Sequence, residues 1–139
     1  GVNNQYRGRS LENFEAEFRQ LAETAIGLSH EGAQRVQALS IPDWGQTPFG
    51  AGCGRDRRQI SLEIDAYNDC AGAVCASLNI AFLDITVLTR RHSKETGMHA
   101  EDGLHPSAQM HHLWAKALLF TKKFGRLGLR AREKDNNHE

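Results

Sequence analysis

The segment RVQALSI at residues 35–41 is a short apolar run that ends before Pro42, and this pattern predicts a buried β-strand. A second run of this kind, NIAFLDI, occupies residues 79–85. Between the two, apolar residues recur at helical spacing, namely Ile60, Ile64, Tyr67, Ala71, Val74, Cys75 and Leu78. A helix that connects two strands gives a right-handed crossover and parallel pairing. We therefore expect an α/β fold in which residues 35–41 and 79–85 are adjacent parallel strands, buried on both faces.

Helices are also predicted on either side of this unit. Ser10 suits the N-cap of a helix whose apolar stripe consists of Leu11, Phe14, Phe18, Leu21, Ala22, Ala25 and Leu28. A last helix, from Pro106 to about residue 122, is predicted to bury Met110, Leu113, Trp114, Ala117 and Leu118. Residues 1–8 and 86–101 are polar and contain glycine, and they are predicted to be loops.

An acid and a histidine lie three residues apart in the stretch Asp102-Gly103-Leu104-His105-Pro106. On a turn that contains glycine, the Asp102 carboxylate can meet Nδ1 of His105, which fixes the imidazole tautomer and leaves Nε2 free to take a proton. Pro106 suits the first position of the helix that follows, because its φ is fixed and its missing N–H would have no partner there. The stretch predicts either a catalytic base with its acid or an ordinary helix start with a surface histidine.

The composition gives no sign of a nucleic-acid-binding, membrane-spanning or disulfide-rich protein. The chain has 139 residues, enough for one domain, and its 17 basic residues balance 17 acidic ones. This balance gives no indication of a nucleic-acid or anionic-membrane partner, and no apolar run approaches the length of a membrane span. The three cysteines, Cys53, Cys70 and Cys75, form no C-x-x-C pair, so neither a disulfide framework nor a zinc knuckle is predicted. The arginine runs are expected on the solvated surface, at Arg55, Arg57, Arg58, Arg90 and Arg91.

Two more residues are candidates for a site. Trp44 lies in the loop PDWGQTPFG, residues 42–50, which follows the first predicted strand. Ligands of α/β proteins bind beyond the carboxyl ends of the strands, so Trp44 is either part of a binding rim or a lid over the core. Asp84 ends the second strand and is either a rival acid for His105 or a cap of the turn at Thr86. Asp102 is preferred because it shares a turn with His105.

Four histidines lie close together in the sequence, at positions 99, 105, 111 and 112. Zinc sites favour short fixed spacings with cysteine or acidic partners, and His111 and His112 would face different sides of one helix. We expect no metal and no cofactor.

Several segments, in their order along the chain, resemble the SGNH (GDSL) hydrolases, a family of serine esterases and lipases. Residues 102–107, DGLHPS, resemble the family's last block, D-x-x-H-P, and residues 1–4, GVNN, resemble its third block, G-x-N-D, with Asn4 in place of the usual Asp. Residues 40–48, SIPDWGQTP, resemble the loop after the fourth strand in bacterial members, and the E-I-D-A-Y-N and F-L-D-I-T segments are also similar. The similarity covers roughly residues 1–120.

The resemblance implies a flavodoxin-like three-layer α/β/α sandwich with a parallel sheet. Residues 1–124 would be the C-terminal part of that domain, and the charged tail at residues 125–139 is expected to be disordered. Asp102 and His105 would be the acid and base of a Ser-His-Asp triad, and the Asn3 side chain would donate a hydrogen bond to the oxyanion. The substrate would be a small-molecule ester.

The family's nucleophile block, G-D-S, and its second block are absent from the chain, and the seven serines present have no such context. We therefore expect the nucleophile to lie upstream and this chain alone to be inactive. One interpretation is an ester hydrolase completed by that serine. The alternative is a non-catalytic binding or structural remnant with a hydrolase-like fold. Neither the ester, the compartment nor the oligomeric state follows from the sequence.

Overall fold

A computed structural model describes the backbone of residues 1–134 and the side chains of residues 1–121. Two strands are present in this part of the chain, β1 (Gln37–Leu39) and β2 (Ala81–Leu83). The helices are α1 (Val2–Tyr6), α2 (Leu11–Leu28), α3 (Pro48–Gly52), α4 (Arg57–Ser77), α5 (Thr86–His92) and α6 (Ala108–Lys134). None of the helices in the described residues is long and apolar enough to cross a membrane.

The two strands pair in parallel, with Gln37 opposite Ala81 and Leu39 opposite Leu83. Helix α4 lies between them in the chain, so the predicted strand–helix–strand unit is confirmed. Among the described residues the fold is a mostly helical α/β arrangement with one small parallel sheet of two strands.

The sheet is covered on one face only, and even there its side chains are half-buried, so the prediction of burial on both faces is wrong for the described residues. Ala38 and Phe82 are opposite each other and pack against an apolar cluster that α2 and α4 provide. Side chains alternate between the faces of a strand, and the neighbouring Leu39 is 42% exposed. The described helices therefore cover one side of the sheet and leave leucine exposed on the other.

The main core lies between α2, α4 and the loop that follows β1. It consists of Phe14, Ile41, Trp44, Ile60, Ile64, Tyr67 and Ala71. The Ser10 hydroxyl caps α2 by accepting a hydrogen bond from the Asn13 N–H at 3.2 Å, as predicted. The predicted stripe of α2 is buried only in part, since Leu21 and Leu28 are 69% and 81% exposed.

An ion pair between a buried carboxylate and a half-buried guanidinium fixes the loop after β1 against α4 and α5. Asp43 is fully buried, and its Oδ2 lies 2.8 Å from Nε of Arg90 and accepts a hydrogen bond from the Ser61 hydroxyl. Arg90 also pairs with Asp65 at 2.8 Å, and Oδ1 of Asp43 accepts from the Gly45 N–H. The expectation that Arg90 is a solvated surface residue is therefore wrong, because it neutralises a charge inside the fold.

Both regions predicted as loops contain a helix, α1 and α5. Their buried positions are occupied by polar residues whose hydrogen bonds are satisfied inside the protein. Gln5 of α1 is 1% exposed and bonds to two side chains, whereas Thr86 and Thr89 of α5 donate to the carbonyls of Ile41 and Ile85. An apolar pattern could not predict these helices, since their buried faces are not apolar.

Helix α6 begins at Ala108 rather than at Pro106. Pro106 instead forms an antiparallel bridge with His99, and the Ser107 hydroxyl accepts a hydrogen bond from the Met110 N–H at 3.2 Å. Met110 is buried, and the rest of the predicted stripe is half-buried. The helix continues past residue 124 to Lys134. Residues 135–139 lie outside the described residues, so disorder there stays a prediction.

Candidate active site

Asp102 and His105 face each other across a tight turn. Oδ2 of Asp102 lies 2.5 Å from Nδ1 of His105, while Oδ1 accepts hydrogen bonds from the backbone N–H groups of Leu104 at 2.9 Å and His105 at 3.0 Å. One carboxylate oxygen is thus held by the turn, and the other is free to orient the imidazole. The contact that the spacing predicts is present, and its catalytic role stays a prediction.

The charge and exposure of the pair suit a proton-transfer role. The hydrogen bond from His105, followed by the two backbone N–H groups, lowers the pKa of Asp102 from 3.8 to about 2. The carboxylate is therefore ionised at neutral pH. The His105 side chain is 72% exposed, and no side chain described by the structure is bonded to its Nε2. Nδ1 is engaged and Nε2 is open, which is the arrangement a general base requires.

The turn is attached firmly to the rest of the fold. Gly103 has a φ of +66°, a backbone conformation that favours glycine. A Cβ built on this residue would lie 3.2 Å from Cβ of Pro48, so there is little room for a side chain. The Gly103 carbonyl accepts a hydrogen bond from the Phe49 N–H at 3.0 Å, near the start of α3. On the other side of the turn, the Ala100 N–H donates to the His105 carbonyl at 2.8 Å. The pair is therefore fixed at its backbone although its side chains are exposed.

The lowered pKa of Asp102 has a consequence for stability in acid. A carboxyl group whose pKa is lower in the folded state stabilises the fold at pH values above its unfolded value, here 3.8. This contribution is lost as the pH falls through the window from 3.8 to about 2. We expect the chemical shift of the Asp102 carboxyl carbon to titrate near the lower end of that window. Because the largest cause is the bond to His105, His105→Ala should move the titration back toward 3.8. Titration of the unaltered protein near 3.8 would show that the pair is not formed.

The rival acid, Asp84, has a structural role. Its Oδ1 accepts hydrogen bonds from the Thr86 N–H at 2.8 Å and from the Ser40 hydroxyl at 3.0 Å. Of the two roles that the sequence left open, the cap of the turn at Thr86 is the one observed. Within the described residues, Asp84 makes no hydrogen bond to His105.

Helix α1, which contains Asn3, and the His105 turn both contact the segment that follows β1. A Cβ at Gly1 would lie 2.6 Å from Cδ1 of Ile41, just past the carboxyl end of β1, so the start of α1 packs there. Further along α1, Gln5 accepts from the indole of Trp44, and the same loop reaches the turn through Phe49. Asn3 itself is exposed in a depression lined by Asn4, Arg7, Arg9 and Glu17, none of which lines the groove or the cavity beside the turn. In the described part of the chain its side chain makes no hydrogen bond to His105.

Trp44 is part of the core. The residue is 4% exposed, its Nε1 donates to Oε1 of Gln5 at 2.7 Å, and its ring lies against Tyr6 and Phe49 at centroid distances of 5.4 and 6.2 Å. The Arg55 guanidinium lies 5.3 Å from the indole centroid. Of the two roles proposed from the sequence, the lid over the core is the one this burial favours. Contact with substrate stays a prediction for Trp44.

A groove and a small cavity flank the turn. The cavity is apolar, holds about 30 Å³, and is lined in part by Trp44, Met98, His99 and Leu104. The groove is open to solvent, holds about 690 Å³, and includes Thr47, Pro48, Arg57, Lys94 and Gly103 in its lining. The sequence could not indicate these lining residues, because they come from separate segments that only the fold brings together.

The comparison with known families fits this arrangement. A family model, described as the GDSL-like Lipase/Acylhydrolase family, matches residues 1–113. The chain belongs to this family. No curated protein and no solved structure matches it significantly. The match includes both GVNN at residues 1–4 and the Asp102–His105 turn.

No serine side chain of this GDSL-like chain is bonded to Asp102 or His105 in the described residues. Ser10 and Ser107 cap helices, and Ser29 is the C-terminal cap of α2. The remaining hydroxyls bond to side chains or carbonyls elsewhere, at Ser40, Ser61, Ser77 and Ser93. The cysteines offer no substitute, since burial raises the pKa of the Cys70 and Cys75 thiols and disfavours the reactive thiolate.

The four neighbouring histidines of the GDSL-like chain are dispersed in the fold. His105 pairs with Asp102, His111 bonds to the Ser107 carbonyl, and His99 lines the apolar cavity. In the residues that the structure describes, no three His, Cys, Asp or Glu side chains come together as a metal site.

Proposed function

We propose that this chain provides the general base, the acid and an oxyanion donor of a carboxylic ester hydrolase, an esterase or lipase, whose nucleophilic serine lies outside residues 1–139. The observation that carries the proposal is the 2.5 Å contact between Asp102 and His105, with Nε2 of His105 open to an incoming group. Membership of the GDSL-like lipase/acylhydrolase family supports the same chemistry.

The proposed reaction is acyl transfer in two steps. Nε2 of His105 removes the proton from the serine hydroxyl as its oxygen attacks the ester carbonyl, and Asp102 stabilises the imidazolium that forms. The tetrahedral intermediate collapses when His105 returns this proton to the leaving alcohol. Water then attacks the acyl-enzyme with His105 again as the base, which releases the acid and regenerates the serine.

Asn3 is the proposed side-chain donor to the oxyanion. The packing of the start of α1 against Ile41, in the segment that also contacts the His105 turn through Phe49, supports this role. An amide N–H aimed at the oxygen that becomes negative stabilises the transition state more than the substrate. The groove beside Gly103 is the proposed path for a small-molecule ester.

We propose further that the sheet continues beyond these two strands as the parallel sheet of a three-layer α/β/α sandwich. The support comes from the uncovered face, where Leu39 is 42% exposed and Leu83 is half-buried. An open strand edge and exposed leucines are unfavourable in water, and further strands and helices would cover both.

The test compares the isolated 139-residue chain with the full translation product of its gene, using short p-nitrophenyl esters. The isolated chain is expected to have no activity above background and low stability, because it has no serine at His105 and an open sheet. The full product is expected to hydrolyse these esters. A full product that folds well but hydrolyses no ester would instead favour a non-catalytic binding remnant. This alternative remains because no serine side chain of the chain is bonded to His105.

A further inference from the structure

Separate elements of the described structure support the turn that carries His105. The Phe49 N–H, in the segment after β1, donates a hydrogen bond to the Gly103 carbonyl at 3.0 Å. Helix α5 lies near the same turn, since its Thr89 lines the small apolar cavity together with Leu104. The position of the turn therefore depends on how α5 and the segment after β1 are placed relative to each other.

One buried carboxylate joins these supports. Asp43 is fully buried, its Oδ2 lies 2.8 Å from Nε of Arg90 on α5, and its Oδ1 accepts from the Gly45 N–H at 3.0 Å. Oδ2 also accepts from the Ser61 hydroxyl of α4 at 2.6 Å, and the Arg90 guanidinium donates to the Ser61 carbonyl at 3.2 Å. The segment after β1, α4 and α5 are therefore bonded to one another around this carboxylate.

A short series of hydrogen bonds leads from Asp43 to Phe49. The Thr47 hydroxyl donates to the Trp44 carbonyl at 2.6 Å and accepts from the Gly50 N–H at 3.0 Å, so the start of α3 is fixed to the residue that follows Asp43. A Cβ on Gly50 would overlap the Trp44 carbonyl oxygen, which shows how closely this segment is packed. A displacement at Asp43 is therefore transmitted to the Phe49 N–H, because a closely packed segment does not deform easily.

We propose that Asp43 and Arg90 are positioning residues for the ester hydrolysis proposed above, and that they hold the His105 turn where Nε2 can take the proton of the serine. This inference rests on that proposed function. Neither side chain is bonded to Asp102 or His105 in the described residues, so both act through the backbone of the turn.

The physical character of the pair favours positioning over stability. An ion pair with a buried member adds little net stability, because the desolvation of the charges offsets their attraction. Its charge-assisted hydrogen bonds are directional, so they fix the relative position of the elements that carry Asp43 and Arg90. Proton transfer requires close approach of the base, and a displacement of about 1 Å at His105 can lower the rate by roughly 10²-fold.

The first measurement is kcat and KM of the full translation product on a short p-nitrophenyl ester. Asp43→Asn keeps the size of the side chain but removes the charge that pairs with Arg90, and we expect kcat to fall by roughly 10- to 100-fold with KM little changed. The matched control is Asp65→Asn, which removes the second carboxylate of the same arginine, 2.8 Å from the guanidinium and 49% exposed. In the described residues Asp65 makes no bond to the segment after β1, so its loss should change kcat little.

Variants of Arg90 test the same pair from its other side. Arg90→Met removes the cation that faces Asp43 and should lower kcat at least as much as Asp43→Asn does. Arg90→Lys restores the charge without the forked geometry, so it should recover part of that loss. Arg90→Met leaves a buried charge unpaired and lowers stability, so Asp43→Asn and Arg90→Lys decide the question if it does not fold.

Amide hydrogen exchange of the full translation product separates positioning from stability and requires no catalysis. The Phe49 N–H reports the attachment of the turn through its bond to Gly103, whereas the N–H of the fully buried Ile64, within α4, reports the stability of the core. In Asp43→Asn we expect the protection of Phe49 to fall by roughly tenfold or more beyond any fall at Ile64. Asp65→Asn should leave the ratio of the two protections unchanged.

Equal falls in protection at Phe49 and Ile64 would mean that Asp43 stabilises the whole fold, and they would overturn the proposal. So would an unchanged kcat in Asp43→Asn, or equal losses of kcat in Asp43→Asn and Asp65→Asn. Absence of ester hydrolysis by the unaltered full product would contradict the proposed function itself, and the exchange ratio would then decide on its own whether Asp43 holds the turn.

Discussion

Replacing His105 by alanine in the full translation product is expected to abolish ester hydrolysis while leaving the fold intact. The His105 side chain is 72% exposed, so little packing is lost with the ring. A serine without its base is a weak nucleophile, and the leaving alcohol would lose its proton donor. The measurement is kcat/KM on a short p-nitrophenyl ester, together with the thermal midpoint.

Asp102→Asn should lower kcat by about 10⁴-fold, the size of effect seen when the acid of a Ser-His-Asp triad becomes an amide. An amide N–H at this position favours the imidazole tautomer that has its proton on Nε2, so the base can no longer accept the proton from serine. The matched control is Asp84→Asn, because the Asp84 carboxylate bonds to Ser40 and Thr86 rather than to His105. If Asp84→Asn proves the more damaging to turnover at unchanged stability, the acid has been misassigned.

Asn3→Ala is expected to slow turnover by roughly 10²–10³-fold, mainly through kcat, because an oxyanion donor acts on the transition state rather than on the bound ester. Asn3 is exposed, so the change should not unfold α1.

The control for Asn3 is Asn4→Ala, one residue further along the same helix. The Asn4 amide donates to Glu17 at 2.7 Å, a contact between side chains at the surface, so its loss should lower kcat much less than the loss of Asn3. Equal effects of the two variants would mean that α1 contributes stability rather than an oxyanion donor.

The sequence predicted the elements that carry strong apolar patterns. Helix α4 follows from residues such as Ile60 and Ile64, which recur at helical spacing and are fully buried. The parallel pairing of β1 with β2 follows from the position of this helix between two short apolar runs. The contact between Asp102 and His105 was also predictable, since both residues lie on one turn and no distant part of the chain is needed to form it.

Features that depend on polar burial were not predictable in this way. Helix α1 is fixed by Gln5, whose amide bonds to Trp44 and Glu63, and the buried face of α5 uses threonine hydroxyls. A hydrophobic pattern does not show polar groups that are satisfied by distant partners. The same reason explains Arg90, a charged residue that the sequence placed on the surface and the fold pairs with Asp43.

The central claim is that His105 and Asp102 form the base and acid for a serine that these 139 residues do not contain. Labelling with a fluorophosphonate probe, followed by peptide mapping, tests it most directly because the probe reacts only with an activated serine. The account predicts no labelling of the isolated chain, and labelling of the full translation product on one serine outside residues 1–139 that is lost in His105→Ala. Labelling of any of the seven serines in the isolated chain would contradict it.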